Sequence, residues 1–128
     1  MVIDSSALLA IVYVEPEARK FIDSITADEH CLVSAATLLE IGINLINRSE
    51  TAFEEFERFV DRAGIQIVPV DEEQARIAID AARFFGKGRH PAGLNYGDCF
   101  SYALSKQTGE PLLFKGNDFA KTDVVRVL

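Results

Sequence analysis

Four short apolar runs limit what this chain can become: Val2-Ile3, Cys31-Leu32-Val33, residues 65–70 and Leu112-Leu113-Phe114. Each is too short to be a buried helix, and a stretch of helical periodicity separates each from the next. Strands that are apolar throughout, joined by helices, are the signature of a parallel sheet covered on both faces. The expectation is therefore a three-layer α/β/α domain with a central, mostly parallel sheet. In such sheets the working residues lie beyond the carboxyl ends of the strands.

The connecting segments carry their own start and stop signals. The first strand ends in Asp4-Ser5-Ser6, and Ser5 or Ser6 is suited to cap a helix beginning near Ala7. Pro16 fits the first turn of a second helix, with Ala18, Phe21, Ile22 and Ile25 as its apolar stripe. A third helix is predicted over 37–48, where Thr37 and Glu40 have capping-box spacing. It is apolar around most of its circumference, which predicts burial on several sides, against the sheet and a second subunit. Residues 51–62 form a cleaner amphipathic helix with Phe53, Phe56, Phe59 and Val60 on one face. Asp71-Glu72-Glu73-Gln74 opens an Ala-rich helix that runs to Phe85. A basic, Gly-rich loop at 86–93 leads into a last helix, capped by Asn95 and stopped by Gly109. Residues 124–128 read as an edge strand.

At 128 residues the chain is expected to be one domain, 1–128, with enough length to bury a real core. No apolar run approaches the roughly 20 residues of a membrane span. Neither a signal peptide nor a disulfide framework is evident, so the expected location is the cytoplasm. The formal net charge of −7 argues against broad, sequence-independent attachment to nucleic acid through surface lysines. It leaves open a nucleic-acid substrate reached through a bound cation.

Placing the acids on the expected sheet brings four of them to one rim. Asp4 ends the first strand, and Glu40 lies in the first turn of the helix after the second. Asp98 starts the helix that leads into the fourth strand, and Asp118 follows that strand. Clustered carboxylates hold together at neutral pH only with cations or shared protons. His30 and His90, with two distant cysteines, offer no zinc spacing. Oxygen ligands alone favour Mg²⁺, with Mn²⁺ as a substitute. Such ions activate water and stabilise charge in phosphodiester cleavage. Ser6 is placed to hydrogen-bond a carboxylate, a water or a phosphate.

Each acid also has a plain structural account: a turn for Asp4, a cap for Glu40, a helix-dipole acid for Asp98, an exposed turn for Asp118. Other chemistries fit less well. Neither a Gly-x-Ser-x-Gly elbow nor a P-loop occurs. A haloacid-dehalogenase-type phosphatase wants a second Asp where Ser6 stands.

In order along the chain, Val2-Ile3-Asp4-Ser5-Ser6, Glu40 in an apolar helix, Leu94-Asn95-Tyr96-Gly97-Asp98-Cys99-Phe100 and Leu112-Leu113-Phe114-Lys115-Gly116-Asn117-Asp118 resemble the PIN-domain family. More closely they resemble the VapC toxins of bacterial toxin–antitoxin pairs. The resemblance implies a Mg²⁺-dependent endoribonuclease that cuts structured RNA, often tRNA or rRNA, and inhibits translation. It implies a homodimer neutralised by a cognate antitoxin whose C-terminal segment occupies the active-site groove, with promoter DNA bound through the antitoxin. Asp4, Glu40 and Asp98 match the family's acids, and Ser6 its small hydroxyl. Many relatives carry their fourth acid where Gly116 stands, so Asp118 would serve from a shifted place. Arg89 and Lys87 in the Gly-rich loop are expected to contact the RNA backbone. The resemblance further suggests that the helices of 37–62 help build the antitoxin groove. The contrasting expectation is a noncatalytic RNA- or protein-binding domain.

Overall fold

The computed structural model describes residues 1–128. Strand residues point alternately to opposite sides, and this decides the layers. Ile3, Val33 and Leu113 enter one apolar cluster; Val2, Leu32 and Leu112 enter the other. The strands are β1 (Val2–Ile3), β2 (Leu32–Ser34), β3 (Gln66–Val68) and β4 (Leu112–Leu113). They form one parallel sheet in the order β3-β2-β1-β4, with Val2 opposite both Leu32 and Leu112.

The helices are α1 (Ser5–Val12), α2 (Ala18–Ala27), α3 (Ala35–Ile46), α4 (Glu50–Arg62), α5 (Glu72–Phe85) and α6 (Tyr96–Thr108). Leu8, Phe21, Ile41, Leu45 and Phe56 from α1 to α4 pack on the Ile3 side. Ala81 of α5 and Cys99, Tyr102 and Leu104 of α6 pack on the Val2 side. The three-layer α/β/α arrangement is thus present, and no helix is long and apolar enough to cross a membrane.

Several local expectations need correction. The cap of α1 is Asp4, whose carboxylate accepts from the Ser6 N–H at 2.9 Å, rather than Ser5 or Ser6. The α2 helix begins at Ala18, two residues past Pro16. The α3 helix begins at Ala35, capped by Ser34, so Thr37 and Glu40 make no capping box. Thr37 is buried instead, its hydroxyl 3.3 Å from that of Ser101 where α3 meets α6. The reason is tertiary: β2 delivers the chain directly into the helix, and Ser34 is the nearest side chain able to accept from its free N–H groups. Asp71 caps α5 as expected, but the Gln74 side chain turns inward to Pro69 and Gln107. The C-terminal residues form a single bridge between Leu112 and Arg126, not a strand.

On α3, Leu39 is 63% exposed and Ile43 51% exposed. Within this chain the helix is therefore buried on one side only.

Candidate active site

The strand order reverses direction at β1: the chain moves from β1 to β2 and β3 on one side, then returns to place β4 on the other. This creates a crevice beyond the carboxyl ends of β1 and β4. Asp4 is the first residue past β1, and its N–H is bonded to the Leu113 carbonyl of β4 at 2.9 Å. The residue is only 2% exposed. One carboxylate oxygen, Oδ2, accepts from the Ser6 N–H at 2.9 Å and from the Ser6 hydroxyl at 2.6 Å. The other oxygen has no protein donor. Ser6 Oγ in turn accepts from the Lys115 N–H at 3.0 Å, so one hydroxyl ties the end of β1 to the end of β4.

Asp98 is fixed by a reciprocal capping box at the start of α6. Its N–H donates to Asn95 Oδ1 at 2.9 Å, and its Oδ2 accepts from the Asn95 N–H at 2.8 Å. Again one oxygen is engaged and the other left without a donor. Burial pushes the Asp98 carboxyl up to about 6, and the negative fields of Asp4, Asp118 and Glu40 push the same way; the Asn95 N–H pulls against them. The four acids therefore feel one another, although they come from four separate parts of the chain.

Glu40 lies in the second turn of α3, not the first. Its stem is exposed, but its carboxylate is tucked under the start of α6. A Cβ on Gly97 would sit 2.8 Å from Glu40 Oε2. Burial of the carboxyl and then the field of Asp4 raise its pKa, with a hydrogen bond from Ser5 opposing. Asp118 is exposed, in the polar turn after β4, and its side chain caps nothing. Gly116, two residues earlier, has φ 96°, a left-handed backbone that an acid there would adopt only with strain.

Lys87 and Arg89 stand apart from the acids. They lie at the mouth of a cleft of about 690 Å³ between α5 and the start of α6, which also includes Asn95 and Tyr96. Sequence reading missed two features of the site: the approach of Gly97 to Glu40 and the tie from Ser6 to Lys115. The glycine in front of Asp98 was the visible signal for the first.

The donor set suits a divalent cation. It is oxygen-only, each of the two fixed acids keeps one oxygen without a protein donor, and the burial that raises the Asp98 pKa, with the fields of the other acids behind it, is a cost that a bound dication would offset. As placed, no three acidic side chains converge closely enough to enclose an ion.

A sheet with this order, with acids gathered at its switch point, defines a class of α/β nuclease-like folds, and the sequence identifies the family. The chain belongs to the PIN domain family, which it matches over residues 1–125. It is 48% identical over 128 residues to Ribonuclease VapC30 of Mycobacterium tuberculosis, covering 99% of this chain and 98% of that protein. It is also 48% identical to Ribonuclease VapC of Mycolicibacterium smegmatis, covering 99% of each. Among solved structures it superposes on Mycobacterium tuberculosis VapC20, a sarcin-ricin loop cleaving toxin, with TM-score 0.78 and 15% identity, covering 98% of this chain and 97% of that one. VapBC2 from Rickettsia felis, bound to a promoter DNA fragment, gives TM-score 0.75 at 10% identity, covering 98% and 94%. These two likenesses concern the fold.

Proposed function

We propose that this chain is a metal-dependent endoribonuclease, the toxin of a VapBC-type toxin–antitoxin pair, a single PIN domain that hydrolyses phosphodiester bonds of structured RNA such as tRNA or rRNA and so inhibits translation in the cytoplasm. The observation that carries this reading is the pair Asp4 and Asp98 at the β1/β4 crevice, each held through one carboxylate oxygen with the other left without a protein donor. The 48% identity to proteins named Ribonuclease VapC supports it along the whole chain.

Asp4 and Asp98 would hold Mg²⁺ or Mn²⁺, with Glu40 and Asp118 as the further acids that would contribute to the site. When bound, the ion supplies Lewis-acid activation of water and neutralises charge on the phosphate. The protein's own contribution is positional. Ser6 holds one oxygen of Asp4, and Asn95 holds one oxygen of Asp98, so that the second oxygen of each is left without a protein donor. Glu40, with its raised pKa, is suited to take the proton released by the attacking water. Lys87 and Arg89 contact the RNA backbone.

The C-terminal segment of the antitoxin occupies the active-site groove, and the layer of α1 and α4 extends the antitoxin surface. Ile11, Val12 and Tyr13 at the end of α1 face Ala52, Phe56 and Phe59 of α4 across a cleft of about 330 Å³. An apolar antitoxin segment fits there, and promoter DNA is reached through that antitoxin. The exposed Leu39 and Ile43 of α3 form a homodimer contact.

The test uses antitoxin-free protein on total RNA, with Mg²⁺ or with EDTA, beside Asp98→Asn, followed by sequencing of the cut ends. Discrete cuts that need both the metal and Asp98 are expected. Intact RNA from a folded protein would overturn the reading in favour of a noncatalytic binding domain.

A further inference from the structure

Tyr96 opens α6 two residues before Asp98, yet it is 82% exposed and its hydroxyl makes no hydrogen bond within the protein. Its ring is not loose. It stands edge-on to Phe100, centroids 4.9 Å apart and planes at 87°, and both Tyr96 and Phe100 line the cleft between α5 and α6. Across that cleft, α5 presents Ala75, Ala78, Ile79 and Ala82, an apolar wall whose three small side chains leave space beside the isoleucine for a flat ring. At the mouth stand Lys87 and Arg89. Neither makes an ion pair with any acid of the protein, although acids outnumber bases in the chain by seven.

We infer that Tyr96 is a specificity residue that stacks an unpaired RNA base beside the cut phosphate, while the phosphates of that strand run toward Lys87 and Arg89. This rests on the ribonuclease reading and assigns Tyr96 as the residue that holds an unpaired base there. The argument is chemical complementarity. An open aromatic face takes any base by stacking, and unpaired cations a few residues away take the backbone that carries it. A base inside an A-form duplex is already stacked on both faces and cannot enter. The acid rim next door would repel an RNA strand unless cations held it on the other side, and the loop supplies them.

The experiment measures binding in EDTA, where cleavage is silent, by fluorescence anisotropy. The probes are a labelled, unstructured RNA oligonucleotide of about 12 residues and a fully paired duplex of the same sequence. Wild type is expected to prefer the single strand. Tyr96→Ala should weaken that binding about tenfold, the loss expected for one stacked base. Tyr96→Phe and Tyr96→Trp should retain it, and the duplex should bind all variants alike. With Mg²⁺, Tyr96→Ala should raise KM more than it lowers kcat.

Single-strand affinity unchanged in Tyr96→Ala would overturn the inference, as would a wild type that prefers the duplex. So would a Tyr96→Ala protein that sediments as a smaller species while keeping its RNA affinity, because a second copy of the chain would then be what covers the ring. Failure of the ribonuclease reading shows separately, as absence of Mg²⁺-dependent and Asp98-dependent cuts.

Discussion

The backbone of Gly97 lies against the carboxylate of Glu40, so close that a methyl group there would sit 2.8 Å from Oε2. A residue with no side chain thus sets where the acid from another helix comes to rest. The first turn of α6 fixes Asp98 through its capping box and Glu40 through this approach.

Gly97→Ala is expected to separate stability from activity. Alanine is favoured over glycine within a helix by up to about 1 kcal/mol, so the melting temperature should hold or rise. Displacement of the Glu40 carboxylate should lower RNA cleavage about tenfold, equivalent to about 1.4 kcal/mol of barrier. Unchanged cleavage rates in a folded variant would show that the contact has no bearing on the chemistry.

Ser6→Ala removes a hydroxyl that donates to Asp4 and accepts from the Lys115 N–H. Loss of this tie should cost about 1 kcal/mol, read as a fall of about 3–5 °C in thermal unfolding. The Ser6 N–H remains on Asp4, so the variant should fold. Cleavage should drop through a less ordered Asp4.

The raised Asp98 pKa predicts a pH dependence of stability in metal-free protein. Its ordinary value is 3.8 and its value in the fold is about 6, so the native state holds the proton more tightly than the unfolded chain. The contribution of Asp98 to stability is then fully present below about pH 4 and is lost as pH rises through about 6. Asp98→Asn should therefore be more stable than wild type at pH 7.5 in EDTA, by about 1 kcal/mol once solvent screening is allowed for. The difference should vanish near pH 3.5. Denaturant melts at the two pH values check it, and an Asp98→Asn protein less stable at pH 7.5 would contradict it.

Divalent cation should act on the same balance. Binding to the native state alone stabilises by mass action, about 2.7 kcal/mol at a hundred times the dissociation constant. Mg²⁺ or Mn²⁺ should raise the melting temperature of wild type and have little effect on Asp4→Asn or Asp98→Asn. Equal shifts in all three would place the ion elsewhere.

Ile43, half exposed on α3, tests the homodimer. Ile43→Glu should yield a monomer in sedimentation at concentrations where wild type is dimeric. A charge on this exposed position should leave the fold intact. A variant that sediments like wild type would remove α3 from the interface.

The acids show what a sequence can and cannot carry. Asp4 was legible because a short apolar run ends on it, and Asp98 because Asn95 stands three residues before it in a capping box. Both signals are local: strand ends and helix starts are decided by residues within one turn of each other. Glu40 was placed in the right helix for a local reason that fails, since Thr37 turned out to be a buried contact to Ser101 rather than a cap. The residues at 124–128 looked like a strand on apolar content alone, but pairing needs a neighbour over several residues, and β4 offers them one bridge.

The sequence by itself determined the alternation of strands and helices, the caps at Asp71 and Asn95, and the two-sided burial of the sheet, because hydrophobic period and capping are properties of short segments. Tertiary structure alone decided that β4 lies beside β1, that Gly97 closes over Glu40, and that Ser6 joins Asp4 to Lys115, 109 residues further on. Those contacts depend on which strand neighbours which, and that order follows from packing the whole core rather than from any one stretch of it.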